Sequence, residues 1–306
     1  LRLEERGFEL GTAYEWRRGS APPPWNGLPH HLERLGFDNQ VIVAAGVAGQ
    51  ASNGQLYDLM RGRLIFPILD DTGQPRGLAG RLLTGDGPKY LNGPETSLYA
   101  KWTLLYGLHA ARDQITDTGK VIVVEGYTDV LAAHQFGIGN VVGTGGTALT
   151  PDHLATLGDQ TDQIVLAFDG DQAGQLAVEH NLDAVRGRAD VRVARLPAGQ
   201  DLADLLLARQ WDTFQTSVAE AQPLTTYLID RIVDRHNLNE VEGPVRVLLA
   251  AASIVDPIEM PDDRSTAVAH LATRLGRDQE FIDNAIHRYA GTPARQRERD
   301  LGRGLS

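Results

Sequence analysis

No cysteine occurs in the sequence, so neither a disulfide nor a thiolate metal site can form. Zinc held by cysteines is excluded with them. The same absence fits a chain of the reducing cytoplasm. Lysine is nearly missing: Lys89, Lys101 and Lys120 are the only three in 306 residues. No stretch approaches the ~20 consecutive apolar residues of a membrane-spanning helix, and the first residues do not read as a secretory signal. No membrane association is expected. The nine histidines are scattered without metal-ligand spacing. A net charge of −11 argues against a protein that simply coats DNA.

What is present reads as a globular chain long enough for two or three domains, with 42% apolar and 23% charged residues. Charge is unevenly spread. Residues 1–112 hold 12 Lys and Arg against 11 Asp and Glu, whereas the remainder holds 17 against 29. A polyanionic partner is therefore expected at the N-terminal third, and the acidic part needs metal ions before it tolerates phosphates. Three regions follow. Residues 1–112 form a mixed α+β part, Gly- and Pro-rich, in which "RGRLIFPILDDTGQPRGLAGRLL" predicts two strands joined at Asp70-Asp71-Thr72-Gly73. Pro67 predicts an edge strand or a bulge there, and "PKYLNGPET" a loop without regular structure. Residues 113–205 alternate short β-branched runs with helical stretches, the pattern of a parallel, doubly wound sheet. Thr150-Pro151 reads as a helix N-cap with proline at the first position. Residues 206–306 read as a helical subdomain that buttresses the sheet. The chain starts without Met in what looks like the middle of an element, so a trimmed fragment is expected.

Acids gather where such a sheet binds its ligands, beyond the carboxyl ends of its strands. Glu125 ends "VIVVE". Asp169 and Asp171 follow the third strand in "FDGDQAG", and Asp201 and Asp204 follow the fourth. In an extended segment residues i and i+2 face one way, so Asp169 and Asp171 share a side, and Gly170 permits a sharp turn between them. Carboxylates packed together raise one another's pKa, a conflict that a hard divalent cation such as Mg²⁺ removes. Asp129 reads as a cap of the helix after Tyr127 in preference to a substrate contact, and Gly143-Thr144-Gly145-Gly146 as a strand-to-helix turn in preference to a backbone cradle for a phosphate.

"VVEGYTDV", "GTGGTALT" and "AFDGDQAG" resemble the TOPRIM domain shared by topoisomerases and primases. "RGRLIFPILDDTGQPRGLAGRLL", "PKYLNGPETSLYAKWTLLYGL" and "LPAGQDLADLL" narrow the resemblance to the RNA polymerase core of bacterial replicative primases of the DnaG type, from about Phe8 to Tyr289. The resemblance implies a TOPRIM parallel sheet flanked by a mixed N-terminal and a helical C-terminal subdomain. It implies RNA primer synthesis from NTPs on single-stranded DNA at a bacterial replication fork. It also implies Mg²⁺, or Mn²⁺ as a substitute, held by Glu125, Asp169, Asp171 and Asp201. Arg61, Arg63, Arg81, Lys89, Tyr90, Asn92 and Lys101 match positions that face nucleotide and nucleic acid, and Pro94 shapes their loop. The family pattern Asp-Pro-Asp reads Asp201-Leu202-Ala203 here, which leaves open whether Asp204 replaces the missing second acid. A zinc ribbon and a helicase-binding domain have no counterpart, so the replicative helicase is expected to be met only through a domain outside this chain. A monomer is expected. The rival readings are a TOPRIM nuclease or topoisomerase fragment, and a non-catalytic nucleic-acid or helicase-docking module.

Overall fold

A computed structural model describes residues 7–83, 85–168 and 190–290. The N-terminal part opens with the helix α1 (Leu10–Glu15) and the short strand β1 (Gly19–Ser20), then α2 (Gly27–Arg34), α3 (Asn39–Ala44) and the hairpin β2 (Ala48–Gln50) and β3 (Leu56–Asp58). β4 (Arg63–Leu69), β5 (Pro75–Leu82) and β6 (Tyr90–Asn92) complete an antiparallel sheet in the order β1-β4-β5-β6. Pro67 sits in β4, but β1 covers only Leu64 and Ile65, so the strand is locally an edge at the proline, and a bulge follows at Ile68/Leu69. β6 corrects the expected loop: three residues of "PKYLNGPET" pair with Ala79, Gly80 and Arg81 on the free side of β5.

The β4–β5 turn is built by Asp70. Its carboxylate accepts the Thr72 and Gln74 N–H groups and the Thr72 hydroxyl, and pairs with Arg76 at 2.6 Å. These bonds, the Thr72 hydroxyl first, hold its pKa well below the ordinary aspartate value. A carboxyl depressed in the folded chain contributes stability above its unfolded value of ~3.9, and that contribution is lost as pH falls toward the folded one. Asp70→Ala is therefore expected to lower the melting temperature at pH 7 and to flatten its decline below about pH 4. A mutant curve parallel to wild type through that range excludes the linkage.

The central sheet follows α4 (Leu108–Thr118). Its strands are β7 (Lys120–Val124), β8 (Val141–Gly143), β9 (Gln163–Leu166), β10 (Asp190–Val193) and the two-residue edge β11 (Gln222–Pro223). Their order is β11-β10-β9-β7-β8, parallel except for β11. Side chains alternate across it. Val121 and Val123 enter one core with Ile164 and Leu166, and Ile122 and Val124 enter the other with Val165 and Ala167. Both faces are covered, as the β-branched runs require. α5 (Tyr127–Gln135) joins β7 to β8 on one face, and α6 (Pro151–Gly158) returns across the other to β9. Thr150 caps α6 through the His153 N–H at 3.1 Å, with Pro151 first in the helix. After β10 come α7 (Leu202–Leu207) and α8 (Trp211–Ala219), then α9 (Leu224–Asp234), α10 (Gly243–Val255), α11 (Pro261–Leu275) and α12 (Gln279–Ala290). β11 interrupts the region expected to be purely helical. The chain leaves β7 toward β8 but leaves β9 toward β10, so connections diverge between β7 and β9. Open parallel sheets bind ligands at such a switch point.

Candidate active site

Glu125 stands at that switch point, half-buried one residue beyond β7, with its carbonyl accepting the Gly146 N–H at 3.0 Å. Extending the Val123–Leu166 register by two residues sets Glu125 level with Phe168. Asp169 and Asp171 come next in the chain and lie outside the described residues. Gly126 donates its N–H to Asp129 Oδ2 at 3.0 Å, and a Cβ on Gly126 would lie 2.5 Å from that oxygen, so a side chain there would have to displace the Asp129 carboxylate. The expected capping role of Asp129 is present, and its other oxygen does more. Oδ1 accepts the Ala203 N–H at 3.0 Å, 74 residues away. One buried carboxylate therefore ties the start of α5 to the start of α7 and draws the segments bearing Glu125 and Asp201 together.

Asp201 caps α7 by accepting the Asp204 N–H at 2.7 Å. Burial first, and then the nearby Asp204 charge, push its carboxyl above the ordinary range, against the Asp204 N–H, Lys89 and Arg81, which favour the ionised form. Lys89 and Arg81, in and beside the N-terminal sheet, are thus near enough for their charge to be felt at Asp201. Arg81 Nη1 donates to the Tyr90 hydroxyl at 3.2 Å and its guanidinium lies 5.4 Å from the ring centre; Lys89 Nζ lies 5.9 Å from the same ring. The Tyr90 hydroxyl is 3.4 Å from that of Thr128 in α5. Asn92 Nδ2 donates to the Gly145 carbonyl at 3.1 Å, and Asn92 Oδ1 accepts the Tyr127 hydroxyl at 2.6 Å. Gly145 has φ +67° and its α-carbon passes so close to Tyr127 that a Cβ would lie 2.7 Å from the hydroxyl. The glycine run is a tight turn against which β6 docks.

The other basic positions are placed differently. Lys101 lines a cleft of about 780 Å³ whose walls also include Val43, Met60, Asn92 and Glu95. Arg61 lies over the exposed Trp25 ring at 4.0 Å and donates to the Asp58 carbonyl. Arg63 is only 5% exposed and donates to the carbonyls of Gly80 and Pro88, so it braces the segment that carries Lys89 rather than presenting its charge to the surface. Asp204 is exposed beside Asp201. The donors Glu125, Asp201 and Asp204 are all carboxylate oxygens, and a carboxyl pushed up by burial and a like-charged neighbour is what a hard divalent cation relieves. The set fits Mg²⁺. Among the described residues no three acids or histidines stand close enough to hold an ion by themselves.

Residues 2–112 match the model of the DNA primase catalytic core N-terminal domain, and residues 122–206 match a Toprim-like domain. The DNA primase of Clostridium acetobutylicum is 32% identical over 282 residues, covering 91% of this chain and 47% of that protein. The DNA primase of Pseudomonas aeruginosa is 35% identical over 291 residues, with 93% and 44% covered. The chain thus spans about half the length of the curated relatives it matches. A crystal structure of a DNA primase domain from Pseudomonas aeruginosa superposes with a TM-score of 0.79 at 35% identity, covering 93% of this chain and 90% of that one. The DnaG primase catalytic domain bound to single-stranded DNA gives 0.78 at 31% identity, with 91% and 89% covered.

Proposed function

The chain belongs to the family of bacterial DnaG-type primase catalytic cores, and on that footing we propose that it synthesises short RNA primers from NTPs on a single-stranded DNA template. The observation that carries the reading is the Asp129 bridge. It joins the residue after Glu125 to a residue two beyond Asp201, and the charges of Arg81 and Lys89 favour the ionised form of Asp201, which supports a shared site. Acids and cations converge there from parts of the chain some 120 residues apart.

Primer extension is phosphoryl transfer, in which alignment and charge dominate the barrier. Glu125, Asp201 and Asp204, with Asp169 and Asp171, are the residues assigned to hold Mg²⁺, or Mn²⁺ in its place. When bound, divalent ions supply charge stabilisation at the attacking and leaving oxygens. The chain's own part is positional. Arg81 and Lys89 offset triphosphate charge, with Tyr90 packed beneath both. Asn92 locks their strand to the Gly145 turn. Lys101 and Arg61 extend positive charge away from the acids toward the template.

The test is incorporation of labelled NTP on single-stranded DNA with Mg²⁺ or Mn²⁺. Template-dependent RNA of short length supports the reading; DNA cleavage without incorporation replaces it with a nuclease, and neither activity reduces the chain to a binding module. Lys101→Ala is expected to weaken template binding severalfold and to lower the slope of log affinity against log salt by roughly 0.7, the value for one phosphate contact on a single strand. Fluorescence anisotropy across a salt series measures it, and an unchanged slope excludes the contact.

A further inference from the structure

The helical C-terminal part carries a buried polar cluster that the proposed chemistry does not use. Asp230 of α9 is 7% exposed. Its Oδ1 accepts from His270 Nε2 at 2.7 Å and from Arg274, both on α11; Arg274 also reaches Asp234 at 2.5 Å. The remaining oxygen, Oδ2, accepts from Arg195 Nη2 at 3.1 Å. Burial favours the neutral acid, but the His270 and Arg274 bonds and charges outweigh it and hold the carboxyl below the ordinary aspartate range. Asp230 is thus a fixed anion, oriented from one side by two partners and open on the other to a third.

That third partner belongs to the catalytic edge. Arg195 lies two residues beyond β10, and the chain then runs through Leu196, Pro197 and the left-handed Gly199 to Asp201. The Arg195 guanidinium also covers the Tyr227 ring at 5.5 Å. The connector has two tethers. Its far end is held by Asp129 through the Ala203 N–H. Its near end is held by Asp230 through Arg195. Between them the backbone bonds are sparse: the Gln200 N–H reaches the Pro197 carbonyl, while the Ala194 N–H to the Leu166 carbonyl lies just before the near tether.

The geometry points to Asp230 and Arg195 as positioning residues that fix the segment delivering Asp201, so that the helical subdomain sets the metal-binding edge as well as covering the sheet. This rests on the reading of Asp201 as a site acid. Asp230 keeps its bonds to His270 and Arg274 without Arg195, whose side chain is 58% exposed, so losing this one partner changes global stability little. Its effect is therefore local. Residues that orient metal ligands from behind alter affinity by about 10- to 100-fold when removed.

The experiment uses Arg195→Ala and Arg195→Lys in the whole chain. Hydrogen exchange by mass spectrometry follows the peptides spanning residues 195–207 and, as a control, 141–158; Mn²⁺ binding is read by electron paramagnetic resonance. Arg195→Ala is expected to speed exchange in 195–207 alone, to leave the melting temperature nearly unchanged, and to weaken Mn²⁺ binding about tenfold, with Arg195→Lys recovering part of both. Unchanged exchange in 195–207 overturns the proposal, as does faster exchange with unaltered Mn²⁺ affinity. The exchange arm needs neither metal nor primer synthesis. A chain that makes no primers yet shows the localised change keeps the anchor and loses the polymerase reading.

Discussion

Glu125→Gln is expected to reduce primer synthesis by at least ~100-fold while leaving the folded chain intact. The carboxylate lies one residue past β7, where connections of the sheet diverge, and beside the turn whose Gly146 N–H bonds to its own carbonyl. That backbone bond survives the substitution, so the turn stays in place. On the proposed reading, what is lost is one negative oxygen among the acids that would hold the divalent ion near the reacting phosphate. A loss of ~3 kcal/mol in transition-state stabilisation corresponds to about two orders of magnitude in rate, within the range for removing one electrostatic contact from a reaction centre. The melting midpoint is expected to move little, because glutamine keeps the size of the side chain and the backbone bond of the turn. The check is single-turnover extension beside a thermal melt. Near-normal synthesis by a normally folded Glu125→Gln chain removes Glu125 from the mechanism, and loss of synthesis with a collapsed melt leaves only a structural role.

Much of the fold was legible because local chemistry and topology agreed. Short β-branched runs alternating with helices spell out the parallel sheet, and Glu125 falls at the carboxyl end of its strand as its place in "VIVVE" implies. Thr150-Pro151 and Asp70 were legible for a similar reason: caps and turns bond to amides a few residues away, so the pattern is contained in a short window. Other features were set by partners distant in sequence. "PKYLNGPET" looks like a loop by composition, yet the free edge of β5 supplies hydrogen bonds to Tyr90–Asn92 and makes it a strand. Arg63 resembles Arg61 in "RGR", but Arg63 opens β4 and bonds inward to carbonyls, whereas Arg61 lies in the turn before it, past the left-handed Gly62, and rests over Trp25. Asp230 offered no motif at all, since His270, Arg274 and Arg195 approach it from 35 to 44 residues away. Asp169 and Asp171 lie outside the described residues, so their place in the site rests on sequence alone.

Asp129 shows how a cap legible in sequence acquires a second role from the fold, and its removal should cost both stability and activity. In Asp129→Ala the Gly126 and Ala203 N–H groups lose a charged acceptor in a buried setting. Each such loss costs about 1–3 kcal/mol, so a drop of roughly 2–5 kcal/mol is expected. In a chain of this size that lowers the melting midpoint by several degrees, on the order of 2–4 °C per kcal/mol. Activity should fall further than stability implies. At a temperature where the variant remains folded, the starts of α5 and α7 are no longer joined, so Asp201 drifts relative to Glu125. A displacement of about 1 Å at a reacting centre is enough to lose ~100-fold. Asp129→Asn separates the two effects, since it presents a single acceptor oxygen and can keep only one of the two bonds; it should fall between wild type and alanine in both measurements. Primer synthesis assayed well below each variant's melting midpoint decides the matter. Full activity in a destabilised but folded Asp129→Ala would reduce the bridge to a structural fastening and detach the α7 acids from the chemistry.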